Sequence, residues 1–297
     1  MNLSTVNAFK HISSVECVCL NEKQLHQLQQ VLLKILDDIV FVCEKYHINY
    51  FLGGGTALGA MRHQGFIPWD DDIDINMPRA DYETFIPAFQ KEYGKKYWVH
   101  TPEKTDNYGL LLARVRLKGT CVKTREDFFN DECGAFVDIF IIENTFNSKI
   151  LRSVHGIGSL AFGLLLSCRK FYRDRKQLLL LVKEAPELKK VFYIKILIGF
   201  FTAILSLNTW THAANSWNAI CKDTESIYVS GCAGRLHFFG ELYFRKNFCT
   251  VKKALFEGRT LRVSQGVEEY LSHCYGNWKK APEPSQREKH VVLELKL

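Results

Sequence analysis

Five consecutive positions, Asp70-Asp71-Asp72-Ile73-Asp74, hold four carboxylates next to an apolar turn at Pro68 and Trp69. Like charges this close repel, and a divalent cation relieves the repulsion; hard carboxylate oxygens suit Mg²⁺ or Mn²⁺. The alternation Ile73-Asp74-Ile75-Asn76 reads as a strand. If the extended geometry holds across the whole run, Asp72 and Asp74 share a face, Asp70 joins them and Asp71 points away. An EF-hand would use Asp70, Asp72 and Asp74 as well, but Ile75 stands where that loop needs Gly and Asp81 where it needs Glu. The plain alternative is a solvated acidic loop.

Upstream, Gly53-Gly54-Gly55-Thr56 separates a short strand pattern, Ile48 to Leu52, from the helix-compatible Ala57 to His63. Glycines there let the backbone approach a ligand, and the helix that follows turns free N–H groups toward an anion. The P-loop lysine and the Rossmann spacing are both missing. The order strand, glycine turn, helix, acidic strand sets phosphate donors opposite metal-binding acids, which phosphoryl or nucleotidyl transfer requires. A further acid, Asp138, stands between bulky apolar residues in Phe136-Val137-Asp138-Ile139-Phe140. It would complete a metal site, take a proton from an attacking hydroxyl, or serve as a strand-end cap or salt-bridge partner. Arg62 and His63 either contact phosphate or brace the turn.

These residues need a scaffold, and the periodicities supply one. Asn21 to Tyr46 repeats apolar residues at helical spacing (Leu25, Leu28, Leu32, Ile35, Ile39, Val42). Ala80 to Tyr93 reads as a helix, and Tyr97 to His100, Leu111 to Leu117 and Ala135 to Ile142 read as strands, so the first half is mixed α and β. From Asn144 to about Tyr228 the chain turns helical and basic; short strands and helices then lead to a polar tail, Ala281 to His290.

Composition excludes fibrous and fully disordered classes, with 47% apolar and 24% charged residues in 297. A net charge of +7 suits anionic surfaces or phosphate-bearing ligands, and no nucleic-acid partner is expected. Ten scattered cysteines without a Cys-x-x-Cys pair read as reduced thiols, and Met1 to Cys19 lacks the continuous apolar core of a signal peptide, so a cytosolic site is expected. Ile150 to Cys168 and Val191 to Leu207 are apolar but short or interrupted by charge, which favours core or interfacial helices over spans. The basic stretch between them, Arg169 to Lys190, would rest on an acidic lipid surface or simply face solvent.

Gly53 to Asn76, GGGTALGAMRHQGFIPWDDDIDIN, closely resembles the signature of the LicD family of the nucleotidyltransferase-fold superfamily. Asp81-Tyr82-Glu83 with Phe85, Val137-Asp138-Ile139-Phe140, Tyr270-Leu271 and Tyr275-Gly276-Asn277-Trp278, followed by Pro282, Pro284 and His290, agree with it too. The resemblance implies an α+β fold: a nucleotidyltransferase-like mixed sheet with flanking helices, here carrying a helical basic insertion. It divides a single domain, 1–297, into a helical lead (1–47), a catalytic core (48–143), the insertion (144–228) and a C-terminal family block (229–297). It implies transfer of a phospho-alcohol, typically phosphocholine from CDP-choline, to a hydroxyl of a cell-surface glycan such as lipopolysaccharide or teichoic acid; related members move ribitol phosphate.

Carried over by position, the resemblance puts the glycine motif on Gly53, Gly54 and Gly55, with Thr56 and Arg62 as donor-binding candidates. It puts the paired metal acids on Asp72 and Asp74 and the third acid on Asp138, with Asp70 as an added ligand for Mg²⁺ or Mn²⁺. The expected setting is the cytoplasmic face of a membrane, with a lipid-linked acceptor. Where many relatives read D-I-F-P-L-D, this chain reads Asp138-Ile139-Phe140-Ile141-Ile142-Glu143, a change beside the third acid that could alter substrate fit. Other readings are a nucleotidyltransferase acting on a small molecule and a non-catalytic glycan- or lipid-binding homologue.

Overall fold

The computed structural model describes residues 18–181, 186–283, 286–287 and 291–297. Residues 1–17 of the lead, Lys183, Pro284 and His290 lie outside the described residues. The first helix, α1 (Glu22–Lys45), opens with a reciprocal cap: the Gln24 N–H donates to the Asn21 side chain at 2.9 Å, and the Asn21 N–H donates to the Gln24 side chain at 3.1 Å. Its stripe of Leu28, Leu32, Ile35, Ile39 and Val42 is buried. Helical spacing sets these side chains on one face, so the helix buries that face without burying its charges.

The short strand β1 (Phe51–Leu52) leads into α2 (Gly54–His63), then β2 (Asp74–Pro78) and α3 (Arg79–Tyr93). Strands β3 (Tyr97–His100), β4 (Ala113–Leu117), β5 (Cys121–Thr124) and β6 (Phe136–Thr145) follow. Four helices come next: α4 (Lys149–Arg173), α5 (Arg175–Leu181), α6 (Pro186–Thr202) and α7 (Leu207–Asn218). The chain closes with β7 (Tyr228–Ser230), α8 (His237–Gly240), β8 (Leu242–Phe244), α9 (Arg245–Phe248), β9 (Val251–Phe256), β10 (Arg259–Ser264), α10 (Val267–Tyr275) and β11 (Val292–Lys296).

Seven strands run in the order β3-β4-β6-β2-β1-β10-β9, with β7 and β8 continuing the sheet from the far end of β6. Pairings β2–β6 and β1–β10 are parallel and the others in this sheet antiparallel, so the sheet is mixed as expected. The interior strand β6 is buried over nearly all of its ten residues, which suits a run rich in Ile, Val and Phe. Helices α1 and α3 pack on each other and on β6.

Several boundaries differ from the sequence reading. The acidic run is not a continuous strand, because β2 begins only at Asp74 and Asp70 to Asp72 form a loop. Pairing starts there: the Asp138 N–H donates to the Ile73 carbonyl at 3.0 Å and the Gly53 N–H to the Asp74 carbonyl at 2.9 Å. Helix α2 starts at Gly54, inside the glycine turn, rather than at Ala57. Among the described residues, strands β5 and β11 pair only with each other, 168 positions apart at Thr124 and Val292, a distance that no local pattern reveals. All nine described cysteines are free thiols; those of Cys121 and Cys133 approach to 3.0 Å although the sequence reading left them scattered.

Candidate active site

Parallel pairing sets Asp74 opposite Asp138, and antiparallel pairing sets Asp138 opposite Arg114. Side chains at paired positions share a face, so Arg114, Asp138 and Asp74 form one row across β4, β6 and β2. Arg114 grips Asp138 with a fork, Nε to Oδ1 at 2.6 Å and Nη2 to Oδ2 at 3.1 Å. The pair is buried, and the facing carboxylate pushes the Arg114 pKa above the usual guanidinium range despite the desolvation that opposes it. Sequence reasoning left Arg114 out, although an arginine between Ala113 and Val115 in a strand pattern signalled a buried partner.

The glycines are fixed by what stands against them. A Cβ on Gly54 would come within 2.4 Å of Asp74 Oδ2, one on Gly55 within 2.9 Å of Asp70 Oδ2, and one on Gly53 within 2.8 Å of the Asn76 side chain. Gly54 also has φ +47°, in the left-handed region that L side chains rarely adopt. The start of α2 is thus packed directly on the acids. Two bonds lock it there: the Thr56 hydroxyl accepts the Asp74 N–H at 2.9 Å, and the Tyr270 hydroxyl accepts the Gly54 N–H at 3.0 Å. Tyr270 is buried, and burial pushes its pKa well above the usual phenol range, so it stays protonated. Its family block was visible in the sequence but its contact was not, because the partner lies 216 positions away.

Carboxylate oxygens of Asp70, Asp71 and Asp72 come within 4.8 Å of one another. Asp71 therefore does not face away: a loop has no two-residue alternation, and its side chain joins those of Asp70 and Asp72. Asp74, expected to pair with Asp72, is not part of this close group; it stands against Gly54, with Asp138 next in the row. All four aspartates at 70, 71, 72 and 74 are half-buried. An all-oxygen donor set of this density, pressed against glycines that leave no room for a Cβ, fits a hard divalent cation.

Arg62 braces more than it reaches. Its Nη1 donates to the Trp278 carbonyl at 2.7 Å and its Nε to His63 Nε2 at 2.9 Å, tying the end of α2 to the C-terminal block. Asp70 is near enough to raise the Arg62 pKa, against a larger lowering by burial. His63 is held below the usual imidazole range by burial and by Arg62, which favours its neutral form.

Glu143, where the chain departs from the family pattern, stands apart from the third acid. It lies five residues along β6 from Asp138, about 17 Å at the rise of a strand and on the opposite face. Arg79 grips it there, with Nε donating to Oε2 at 3.0 Å and Nη2 to Oε1. Arg79 also donates to Glu103 at 3.3 Å and to Asn215 on α7 at 3.0 Å, so this network joins the sheet to the helical insertion.

Comparison with known proteins places this geometry in a class. Residues 47–154 match the family model described as LicD/FKTN/FKRP, nucleotidyltransferase domain, which contains the glycine turn, all of the acids and Arg114. Along nearly its whole length the chain is similar to the lipopolysaccharide cholinephosphotransferase LicD of Haemophilus influenzae, 31% identical over 275 residues that cover 91% of this chain and 97% of that one. An uncharacterized protein of Rickettsia prowazekii is 38% identical over 101 residues (33% of this chain, 32% of that one). The human ribitol 5-phosphate transferase FKRP is 44% identical over 43 residues (14% of this chain, 9% of that one). The protein is a phosphotransferase enzyme. More particularly, the chain belongs to the LicD family.

Proposed function

We propose that this enzyme transfers phosphocholine, or a similar phospho-alcohol, from a CDP-activated donor to a hydroxyl of a cell-surface glycan at the cytoplasmic face of a membrane. The observation that carries the reading is the packing of Gly54 and Gly55, at the start of α2, directly on Asp74 and Asp70. It gives a diphosphate two complementary surfaces, amide N–H groups at the positive end of a helix and a carboxylate cluster fit for a cation. The full-length similarity to a lipopolysaccharide cholinephosphotransferase supports phosphocholine and a glycan as the substrate classes. We assign the sheet to the nucleotidyltransferase type on the same grounds.

In this reading Asp70, Asp72 and Asp74 hold Mg²⁺ or Mn²⁺, and Asp71 adds a fourth oxygen source. A bound cation of this kind supplies charge neutralisation to the diphosphate and to the departing CMP. Gly55 and Thr56 would meet the phosphates with backbone N–H groups, since those of Gly53 and Gly54 are taken by the Asp74 carbonyl and the Tyr270 hydroxyl, and Thr56 keeps Asp74 in register through its N–H. The acceptor oxygen forms a bond to the phosphorus that carries choline, the bond from that phosphorus to CMP breaks, and the hydroxyl proton passes to Asp138. Arg114 fixes the orientation of that carboxylate. Arg62 holds the C-terminal block over the site.

A thermal-stability panel tests the assignment: CDP-choline, CDP-ribitol, CDP-glycerol, CTP and CDP, each with and without Mg²⁺. A ligand that binds the folded state raises the midpoint. The expected result is a Mg²⁺-dependent rise with one CDP-alcohol, lost in Asp72→Ala. A rise with CTP alone would favour a nucleotidyltransferase. No rise with any nucleotide would favour a non-catalytic binding protein.

A further inference from the structure

Helix α4 puts Ile150, Val154, Ile157 and Leu164 into solvent, 38% to 76% exposed and three, four or seven residues apart, so they line one face. Helix α6 and the turn after it do the same with Tyr193, Leu197, Phe200 and Ile204, 57% to 86% exposed. The two helices pack on each other, which joins the stripes into an apolar surface larger than scattered surface residues would give. Among the described residues α4 is long and apolar enough to cross a bilayer, but its opposite face is pinned to the domain. His155 bonds the Thr145 hydroxyl at 3.0 Å and the carbonyls of Trp217 and Asn218 at 3.1 Å, and Lys170 pairs with Glu126. A helix held along one side and apolar along the other lies in an interface.

Charge says which interface. Residues 149–218 carry eleven Lys and Arg against three Asp and Glu, a net of +8, whereas the whole chain carries +7. All of the excess positive charge is therefore in the segment that presents the apolar face. Arg169 stands at the edge of that face, its Nε donating to the carbonyl of exposed Leu205 at 3.1 Å. An apolar stripe on a segment of net positive charge is complementary to an anionic headgroup layer over hydrocarbon.

We propose that α4 and α6 seat this protein in the surface of an anionic lipid bilayer. Leu160 and Leu164 belong both to this face and to the wall of a cleft of about 450 Å³ that reaches Leu110 to Leu112, the segment entering β4 just before Arg114. On the transferase reading, that continuity leads a lipid-linked acceptor from the bilayer toward Asp138.

Sedimentation of the full chain with vesicles tests the docking without nucleotide, metal or acceptor, so its outcome is separate from that of the transferase reading. Binding is expected to vesicles of phosphatidylcholine with phosphatidylglycerol, to weaken in high salt, and to be far lower with phosphatidylcholine alone. The double variant Ile157→Ser, Phe200→Ser changes exposed side chains, so its melting should match wild type while its partitioning falls at least about tenfold. Absence of binding to the anionic vesicles at low salt, or equal binding by the double variant, overturns the proposal. A dimer dissolved by the same two substitutions, without vesicle binding, overturns it in favour of a second copy of the chain.

Discussion

The two ends of β6 carry the same device with opposite outcomes. At one end Asp138 is forked by Arg114, and at the other Glu143 is forked by Arg79; all four residues are buried. What differs is the next residue in the row. Beside Asp138 stands Asp74, another acid, and the half-buried Asp70, Asp71 and Asp72 gather in the loop that leads into the same strand. Around Glu143 the other neighbours serve Arg79: Glu103 accepts from it at 3.3 Å and so does Asn215 at 3.0 Å. A buried acid–arginine pair is therefore no sign of a site by itself. Several aspartates crowded together beside such a pair, as Asp70, Asp71 and Asp72 are, mark it.

That contrast breaks most easily at Asp74. Asp74→Asn should cut transfer at least about 10³-fold, the scale of several kcal/mol of charge stabilisation at the transferring phosphate, while the melting temperature changes little. Turnover and a melt on the same preparation check this. Glu143→Ala should do the reverse: it removes the forked partner of buried Arg79, leaving it Glu103 and Asn215, and should cost about 1.5–3 kcal/mol in urea unfolding while turnover per folded molecule is kept.

A third buried acid sharpens the comparison. Glu241 accepts the Leu236 backbone N–H at 3.0 Å, and burial pushes its carboxyl pKa up to about 7. Between the ordinary carboxylate range and pH 7 the folded state keeps a proton that the unfolded chain has lost. Stability should therefore fall as pH rises through that window, by about 3 kcal/mol in all. Glu241→Gln should flatten the slope and leave the protein more stable than wild type at pH 8, read as urea midpoints across pH. The smallest effect is expected at Asn21→Ala, about 1 kcal/mol from the lost α1 cap, with no change in turnover.

The sequence revealed what depends on residue type. Three glycines before a helix and four aspartates beside a turn have few structural uses, so the pieces that meet at the start of α2 were readable before their contacts were known. It misled where an assumed period ended: alternation holds from Asp74 onward, so extending it back to Asp70 sent Asp71 to the wrong face. It was silent on contacts between distant segments. Tyr270 on the Gly54 amide and Arg62 on the Trp278 carbonyl each bridge 216 positions, and no local pattern records them. Nearness in sequence likewise hides a separation of about 17 Å along the strand between Asp138 and Glu143. The apolar stretches of α4 and α6 were visible, but which of their faces is left in solvent is decided by the packing of the two helices on each other and of α4 on α7.

The central claim is that the acids beside α2 transfer a phospho-alcohol. Its most direct test is product analysis with CDP-choline, Mg²⁺ and a lipid-linked glycan, measuring CMP released and phosphocholine gained by the glycan. The account predicts one CMP for each phosphocholine transferred, and loss of both products in Asp72→Ala and Asp74→Ala. Pyrophosphate released from CTP in place of CMP from CDP-choline, or transfer that survives both substitutions, would contradict it.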